Sequence, residues 1–166
     1  VDLSAIAKGW GVDRLAELLE SRGHLNFMAE IGGEVSAKGT NAQGEPWRLG
    51  IEKPLLDGRE VHAVVPLSDQ AMATSGDYRN FIGEGANRRS HTIDPRTGRP
   101  VDHSLASVSV IAESCTQADG WATALTVLGP EEGLAMAESQ GLSAFFLVRE
   151  DDGSFTERAT TAFNGL

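Results

Sequence analysis

Nineteen of the 166 residues are glycine, and they cluster between short apolar runs. An average chain carries about 7% glycine. Clustered glycine between apolar runs marks tight backbone turns, not flexible linkers. The chain is therefore read as many short elements joined by tight turns. No internal repeat, low-complexity tract or composition shift marks a linker, so residues 1–166 are treated as one unit.

The spacing predicts a helix over residues 5–22. Asp2 and Ser4 are candidate caps, Gly23 is the stop, and Ile6, Trp10, Leu15, Leu18 and Leu19 recur near helical spacing. Strands are expected at Leu25–Ile31, Val35–Lys38, Trp47–Ile51, Val61–Leu67 and Ala71–Thr74. Phe81–Ile82 and Arg88–Ile93 read as a hairpin with a long turn through Gly83–Asn87. Asp94–Pro100 holds two prolines and a glycine and must be a loop. A strand at Ser107–Ala112 follows. Two helices come next, one between Thr116 and Gly129 and one opened by Pro130 and running to about Ser139. A final hairpin turns at Asp151–Asp152–Gly153, between strands Ala144–Val148 and Phe155–Arg158. This order implies an α+β domain with mostly antiparallel strands. Trp10 and Trp121 are assigned to core packing.

Charge narrows the chemistry. Fourteen Lys and Arg stand against 24 Asp and Glu, a net charge of -10. Such a surface repels phosphate backbones, so nucleic acid is not an expected partner. An acidic chain that binds phosphate needs a metal ion or a local basic cluster. The single cysteine, Cys115, excludes a disulfide framework and a Cys-based zinc site. No apolar run reaches the roughly 20 residues of a membrane helix. The chain starts at Val1, not Met, and is read as a piece of a longer protein.

Five segments concentrate chemistry-bearing residues. Lys8 and Gly9 in the Ala5–Gly9 string suit a phosphate at a helix start, or Lys8 is a solvated surface residue. Gly32 and Gly33, before Glu34, either admit a close ligand or make a plain turn. Thr74, Ser75, Gly76 and Asp77 can hydrogen-bond a polar ligand or form an ordinary turn. His91 and Asp94 suit acid–base work, and Arg96 or Arg99 suits phosphate charge. The alternative there is a rigid loop tied by Asp–Arg pairs. Asp119 and Thr123, four apart on one helix face, suit Mg²⁺ or Ca²⁺. Asp119 equally fits a capping box with Thr116.

Taken together, these strings resemble the ApbE family, the FAD:protein FMN transferases. The match rests on Asp2–Gly9, Ile31–Val35, Pro46–Ile51, Ala73–Tyr78, His91–Gly98 and Ala118–Thr123, in the family's order. It covers the C-terminal part of the family architecture. The family's N-terminal segment, which supplies part of the sheet and of the FAD pocket, is not represented.

The resemblance implies a T-fold-like α+β domain that binds FAD and Mg²⁺. The implied reaction joins FMN through a phosphoester to a Thr or Ser hydroxyl of a target flavoprotein subunit and releases AMP. Asp119, Thr123 and the Ala5 carbonyl match the metal ligands. His91, with Asp94 in reserve, is the candidate for proton handling. Lys8 and Arg96 are candidates for phosphate contacts. Gly33, Glu34, Thr74, Ser75, Gly76 and Asp77 are expected on the flavin or ribityl side. The resemblance also implies a membrane-associated lipoprotein at the periplasmic or extracytoplasmic face. Two other readings share the site: an Mg²⁺-dependent FAD pyrophosphatase, and a flavin-binding protein without activity.

Overall fold

The computed structural model describes residues 2–55, 58–76, 81–82 and 89–166, with backbone alone at 81, 82 and 89. Helix α1 spans Ser4–Ser21. Strands β1 (Phe27–Ile31) and β2 (Glu34–Lys38) form a hairpin whose two-residue turn is Gly32–Gly33. Both turn glycines have positive φ, 64° and 103°, as such a hairpin demands. Strands β3 (Trp47–Glu52) and β4 (Val61–Leu67) pair with each other. They are followed by β5 (Gln70–Gly76), the short β6 (Phe81–Ile82) and β7 (Arg89–Ser90), and the short β8 (Ile93–Asp94) and β9 (Arg99–Pro100). Strand β10 (Leu105–Ala112), helix α2 (Cys115–Ser139), β11 (Ser143–Arg149) and β12 (Phe155–Ala159) follow, with a 3₁₀ turn at Phe163–Gly165.

Six strands make one antiparallel sheet in the order β1-β2-β5-β10-β11-β12. Its period-2 alternation sorts the core by face. Val108, Val110, Ala144, Phe146 and Val148 pack under α2 with Ala118, Ala122 and Leu125. Phe27, Ala29 and Ala71 pack with Val12 and Ala16 of α1. On the other face Val35, Met72, Ile111, Phe145 and Leu147 meet Leu49, Ile51, Val65 and Leu67 of the β3–β4 hairpin. Strands β10 and β11 are thus buried on both faces, which explains why β11 is apolar from Ala144 to Val148 and why the only polar residues inside β10 are the small Ser107 and Ser109. The expected α+β class with a mostly antiparallel sheet is what the molecule shows.

Two expectations about helices need correction. Trp10 is 56% exposed, and Ile6 and Leu18 are exposed too. The buried stripe of α1 is instead Gly9, Val12 and Ala16. Small residues let α1 approach α2 closely: a Cβ at Gly9 would lie 2.3 Å from the Cys115 carbonyl oxygen. Asp119 is also not a helix cap. Ser114 is the N-cap of α2 and accepts from the Gln117 N–H at 3.3 Å. Asp13 of α1 accepts from the Cys115 and Thr116 N–H groups at 2.8 and 2.9 Å. Trp121, by contrast, is partly buried against the core as expected.

The two helices expected over 116–139 are both present, meeting at a kink within α2 where they were expected to part. Gly129 leaves helical dihedrals (φ 80°, ψ -176°), and Pro130 follows. Proline has no N–H, so the Thr126 carbonyl loses its regular donor. His103 replaces it: its Nε2–H donates to the Thr126 oxygen at 2.7 Å. The ring lies against Gly129, where a Cβ would sit 2.9 Å from it.

Candidate active site

The larger cavity, about 630 Å³, opens where the start of α1, the end of β5, the 91–95 segment and α2 converge. Ala5 and Lys8 come from α1. Thr74, Ser75 and Gly76 come from β5, His91 from the segment after β7, and Asp119 and Thr123 from α2. Eight of the candidate residues, from four separate stretches of chain, therefore share one wall.

Asp119 is the buried charge of this site, at 3% exposed. One oxygen, Oδ2, accepts the Gly9 N–H at 2.9 Å. The regular helical acceptor of that N–H is the Ala5 carbonyl. The other oxygen of Asp119 has no hydrogen-bond partner among the described residues. Burial raises the Asp119 pKa above the usual carboxylate range, while the Gly9 N–H and the Lys8 charge oppose that shift. One turn further on α2, the Thr123 hydroxyl lies 3.3 Å from the Ser75 hydroxyl. Val127, the next residue on that face, also lines the cavity.

Glu34 is 2% exposed and does not line the cavity. Its Oε1 accepts from the Lys8 ammonium at 2.6 Å, and its Oε2 is buried without a hydrogen-bond partner among the described residues. Burial raises its pKa, Lys8 lowers it, and Asp119 raises it further. Lys8 itself is 46% exposed and joins this buried acid to the cavity. Cys115 lies beneath the same region, completely buried. Burial, with Asp13, Glu34 and Asp119 nearby, pushes its thiol up to about 12. It is no thiolate nucleophile at neutral pH.

The other candidates are placed elsewhere. Gly33 sits in the β1–β2 turn, away from the cavity wall. Asp94 and Arg96 face a smaller neighbouring cavity of about 280 Å³. Arg96 Nε and Nη2 donate to Asp94 at 3.0–3.2 Å, and its Nη1 donates to Glu132 at 3.2 Å. Those bonds hold the Asp94 carboxyl below its ordinary pKa and raise that of Arg96. The pair ties the β8–β9 hairpin, which stands where a plain loop was expected, to α2. The Thr74 hydroxyl borders the cavity but is engaged by Ser109 at 2.7 Å. Asp77 lies outside the described residues, as do Tyr78 and the expected turn at Gly83–Asn87.

Asp2, Ser4, Thr92, Ile93 and Pro95 line the cavity without having been singled out as ligand contacts. The N-cap of α1 is Leu3, without a side-chain cap bond, and not the expected Asp2 or Ser4; Asp2 accepts the N–H of Ser4, the first helical residue, at 2.8 Å. Their position at the start of α1 beside the cavity emerges only in three dimensions.

An antiparallel sheet with two helices on one face and a hairpin on the other, and a carboxylate–hydroxyl cavity at one end, defines an α+β domain with a polar ligand site. Its sequence assigns the family. The ApbE family profile matches residues 1–146, and the chain belongs to that family. It is 51% identical over 163 residues to an FAD:protein FMN transferase of Vibrio cholerae, covering 98% of this chain and 48% of that protein. It is 48% identical over 167 residues to the protein of that name in Haemophilus influenzae, covering 100% and 48%. Among solved structures it is similar to the flavin transferase ApbE from Vibrio cholerae (TM-score 0.87, 49% identity, 100% of this chain, 52% of that one). An ApbE protein of Thermotoga maritima is similar at 30% identity (TM-score 0.86, 99% and 52%). The chain spans about half the length of the curated relatives it matches.

Proposed function

We propose that this chain forms the cation-binding and phosphate-facing part of an FAD:protein FMN transferase. The observation that carries this reading is the convergence of Ala5, Lys8, Ser75, His91, Asp119 and Thr123 on one cavity. The relatives' shared name, FAD:protein FMN transferase, supports FAD as the substrate and a protein as the acceptor.

The donor set suits a hard divalent cation. Asp119 has an oxygen open to the cavity, Thr123 offers a hydroxyl, and Ala5 a carbonyl whose helical N–H is directed to Asp119. All are oxygen donors, which Mg²⁺ prefers along with substrate phosphates. When bound, Mg²⁺ supplies charge neutralisation at the pyrophosphate. This reconciles phosphate binding with a chain of net charge -10.

The rest falls to the protein's own groups. Lys8 presents its ammonium to the phosphates. His91 takes the proton of an acceptor Thr or Ser hydroxyl. That oxygen attacks the phosphorus on the FMN side of FAD, the bridging P–O bond breaks, and AMP leaves with its electrons. The product is a phosphoester between FMN and the acceptor. Asp94 and Arg96 hold the loop beside His91. An extracytoplasmic setting belongs to the same proposal, supported by the family resemblance; fractionation of cells expressing a tagged protein tests it.

The test is mass spectrometry of a Thr-containing acceptor peptide incubated with FAD, Mg²⁺ and a protein of the relatives' full length. The expected result is an FMN adduct on the peptide together with free AMP. Conversion of FAD to FMN and AMP with no adduct would leave the pyrophosphatase reading standing instead. Absence of any turnover would leave flavin binding alone.

A further inference from the structure

We infer that Glu34 is a positioning residue that holds the Lys8 ammonium away from Asp119 and so keeps a divalent-cation site open; this rests on the cation-site reading above. Two carboxylates compete here for one ammonium. Both are almost fully buried, and Lys8 acts electrostatically on both. Yet the ammonium bonds to Glu34, at 2.6 Å, and not to Asp119. Glu34 has no direct access to the cavity, so this choice leaves Asp119 facing it with one oxygen unengaged.

The local fold enforces the choice. Glu34 is the first residue of β2, directly after the Gly32–Gly33 turn. A Cβ at Gly32 would lie 3.2 Å from Lys8 Cδ and 3.6 Å from Glu34 Oε2. The bare turn thus leaves a channel in which the lysine stem lies against the buried acid. A lysine ammonium is a mobile point charge on a four-carbon stem, with three donors. Without the Glu34 charge, the ammonium is left with Asp119, a buried anion on which the Lys8 charge already acts. An ammonium there would occupy the coordination face and repel a divalent ion.

Titration of the 166-residue chain with Mg²⁺ alone, without flavin, followed by calorimetry, tests this. Glu34→Gln is expected to weaken Mg²⁺ binding by about tenfold or more, the usual scale for losing an outer-shell partner. Adding Lys8→Met to Glu34→Gln should restore affinity to within about threefold of wild type, since the competing cation is gone. Glu34→Asp, which keeps the charge, should retain most of the affinity. Lys8→Met alone should not weaken Mg²⁺ binding, a result independent of whether Glu34→Gln folds. The inference is overturned if Glu34→Gln binds like wild type, if the double variant is no tighter than Glu34→Gln, or if Lys8→Met alone weakens binding. Asp119→Asn separates the two levels. A wild-type chain that binds no Mg²⁺, or binds it equally with Asp119→Asn, overturns the cation-site reading and this inference together. Binding lost with Asp119→Asn but unchanged with Glu34→Gln overturns the inference alone.

Discussion

Asp119 carries a physical cost at this site and much of its proposed chemistry. It is a carboxylate inside the protein whose neutral form burial favours. The sign follows from linkage: with a pKa raised by folding, stability falls as pH rises from the ordinary carboxylate value through the raised one, and the loss is complete above it. Asp119→Asn keeps an oxygen for the Gly9 N–H and removes the charge. In Mg²⁺-free buffer near neutral pH the variant should therefore melt at a higher temperature than wild type. The difference should vanish below the ordinary carboxylate range, where Asp119 is protonated in both states. Thermal melts at several pH values, in chelator, check this; a lower midpoint at neutral pH would mean the charge is compensated. His91 makes a different prediction. If it takes the acceptor proton, His91→Ala should slow flavin transfer by roughly 10²–10⁴-fold in a protein of the relatives' length. Single-turnover rates within about twofold of wild type would assign the proton to another group. At this scale the sequence showed residue types well and partnerships poorly. The i, i+4 spacing of Asp119 and Thr123 was readable because both lie on one helix, whereas the Lys8–Glu34 pair spans 26 positions and has no local signature. Asp94 and Arg96 were equally visible as charges, but only coordinates show that they bond each other and face the smaller cavity.

At the scale of elements, the strands and helices were legible because each carries its own periodicity and is closed by glycine, proline or a cap. What pattern reading missed was the face of α1. Counting large apolar residues selected Ile6, Trp10, Leu15, Leu18 and Leu19; Leu15 and Leu19 do pack against the core, but Ile6, Trp10 and Leu18 are exposed, and the buried stripe at the helix crossing is Gly9, Val12 and Ala16. A crossing this tight is specified by the absence of side chain, which an apolar count scores as nothing. Gly9→Ala should therefore be costly despite the better helix propensity of alanine. Its Cβ would meet the Cys115 carbonyl and Asp119 Cβ at 2.3 and 2.8 Å, so α1 and α2 must separate. A loss of about 1–3 kcal/mol or more is expected in urea unfolding, with weakened Mg²⁺ binding because the Gly9–Asp119 bond is strained. The kink in α2 supplies a companion case. His103→Ala leaves the Thr126 carbonyl without a donor where Pro130 has none to give. The expected loss is about 1–3 kcal/mol, the cost of a buried acceptor left unpaired. Unchanged urea midpoints for either variant would show that the helix pair relaxes freely at these points.

At the scale of the whole molecule, the cavity is equipped for phosphate and cation more than for a flavin ring. Flavin-sized ligands are usually held by apolar and aromatic walls with a few placed polar groups. Among the described residues, no Phe, Tyr or Trp lines the larger cavity; Ile93, Pro95, Val127 and the His91 ring are its nearest equivalents. Trp10 is on the surface of α1, and Trp121 packs against the core under α2. The sheet tells a parallel story. Among the described residues strand β1 is its outermost member, pairing with β2 on one side; Met28 and Ile31 are exposed on it, and Leu25 is exposed just before it. Apolar residues on an unpaired edge are a surface that proteins normally cover. The relatives are about twice as long, so material for both a flavin wall and an edge cover exists in proteins of this family. The 166-residue chain should accordingly bind FAD much more weakly than a version extended to the relatives' length. Mg²⁺ binding should be nearly equal in the two, because Ala5, Asp119 and Thr123 all lie within the shorter chain. Fluorescence quenching of FAD, titrated with each protein under saturating Mg²⁺, measures the first; calorimetry measures the second. Equal FAD affinities would show that the pocket is already complete in the shorter chain. Loss of Mg²⁺ binding in the shorter chain alone would overturn the reading that these 166 residues hold the cation site.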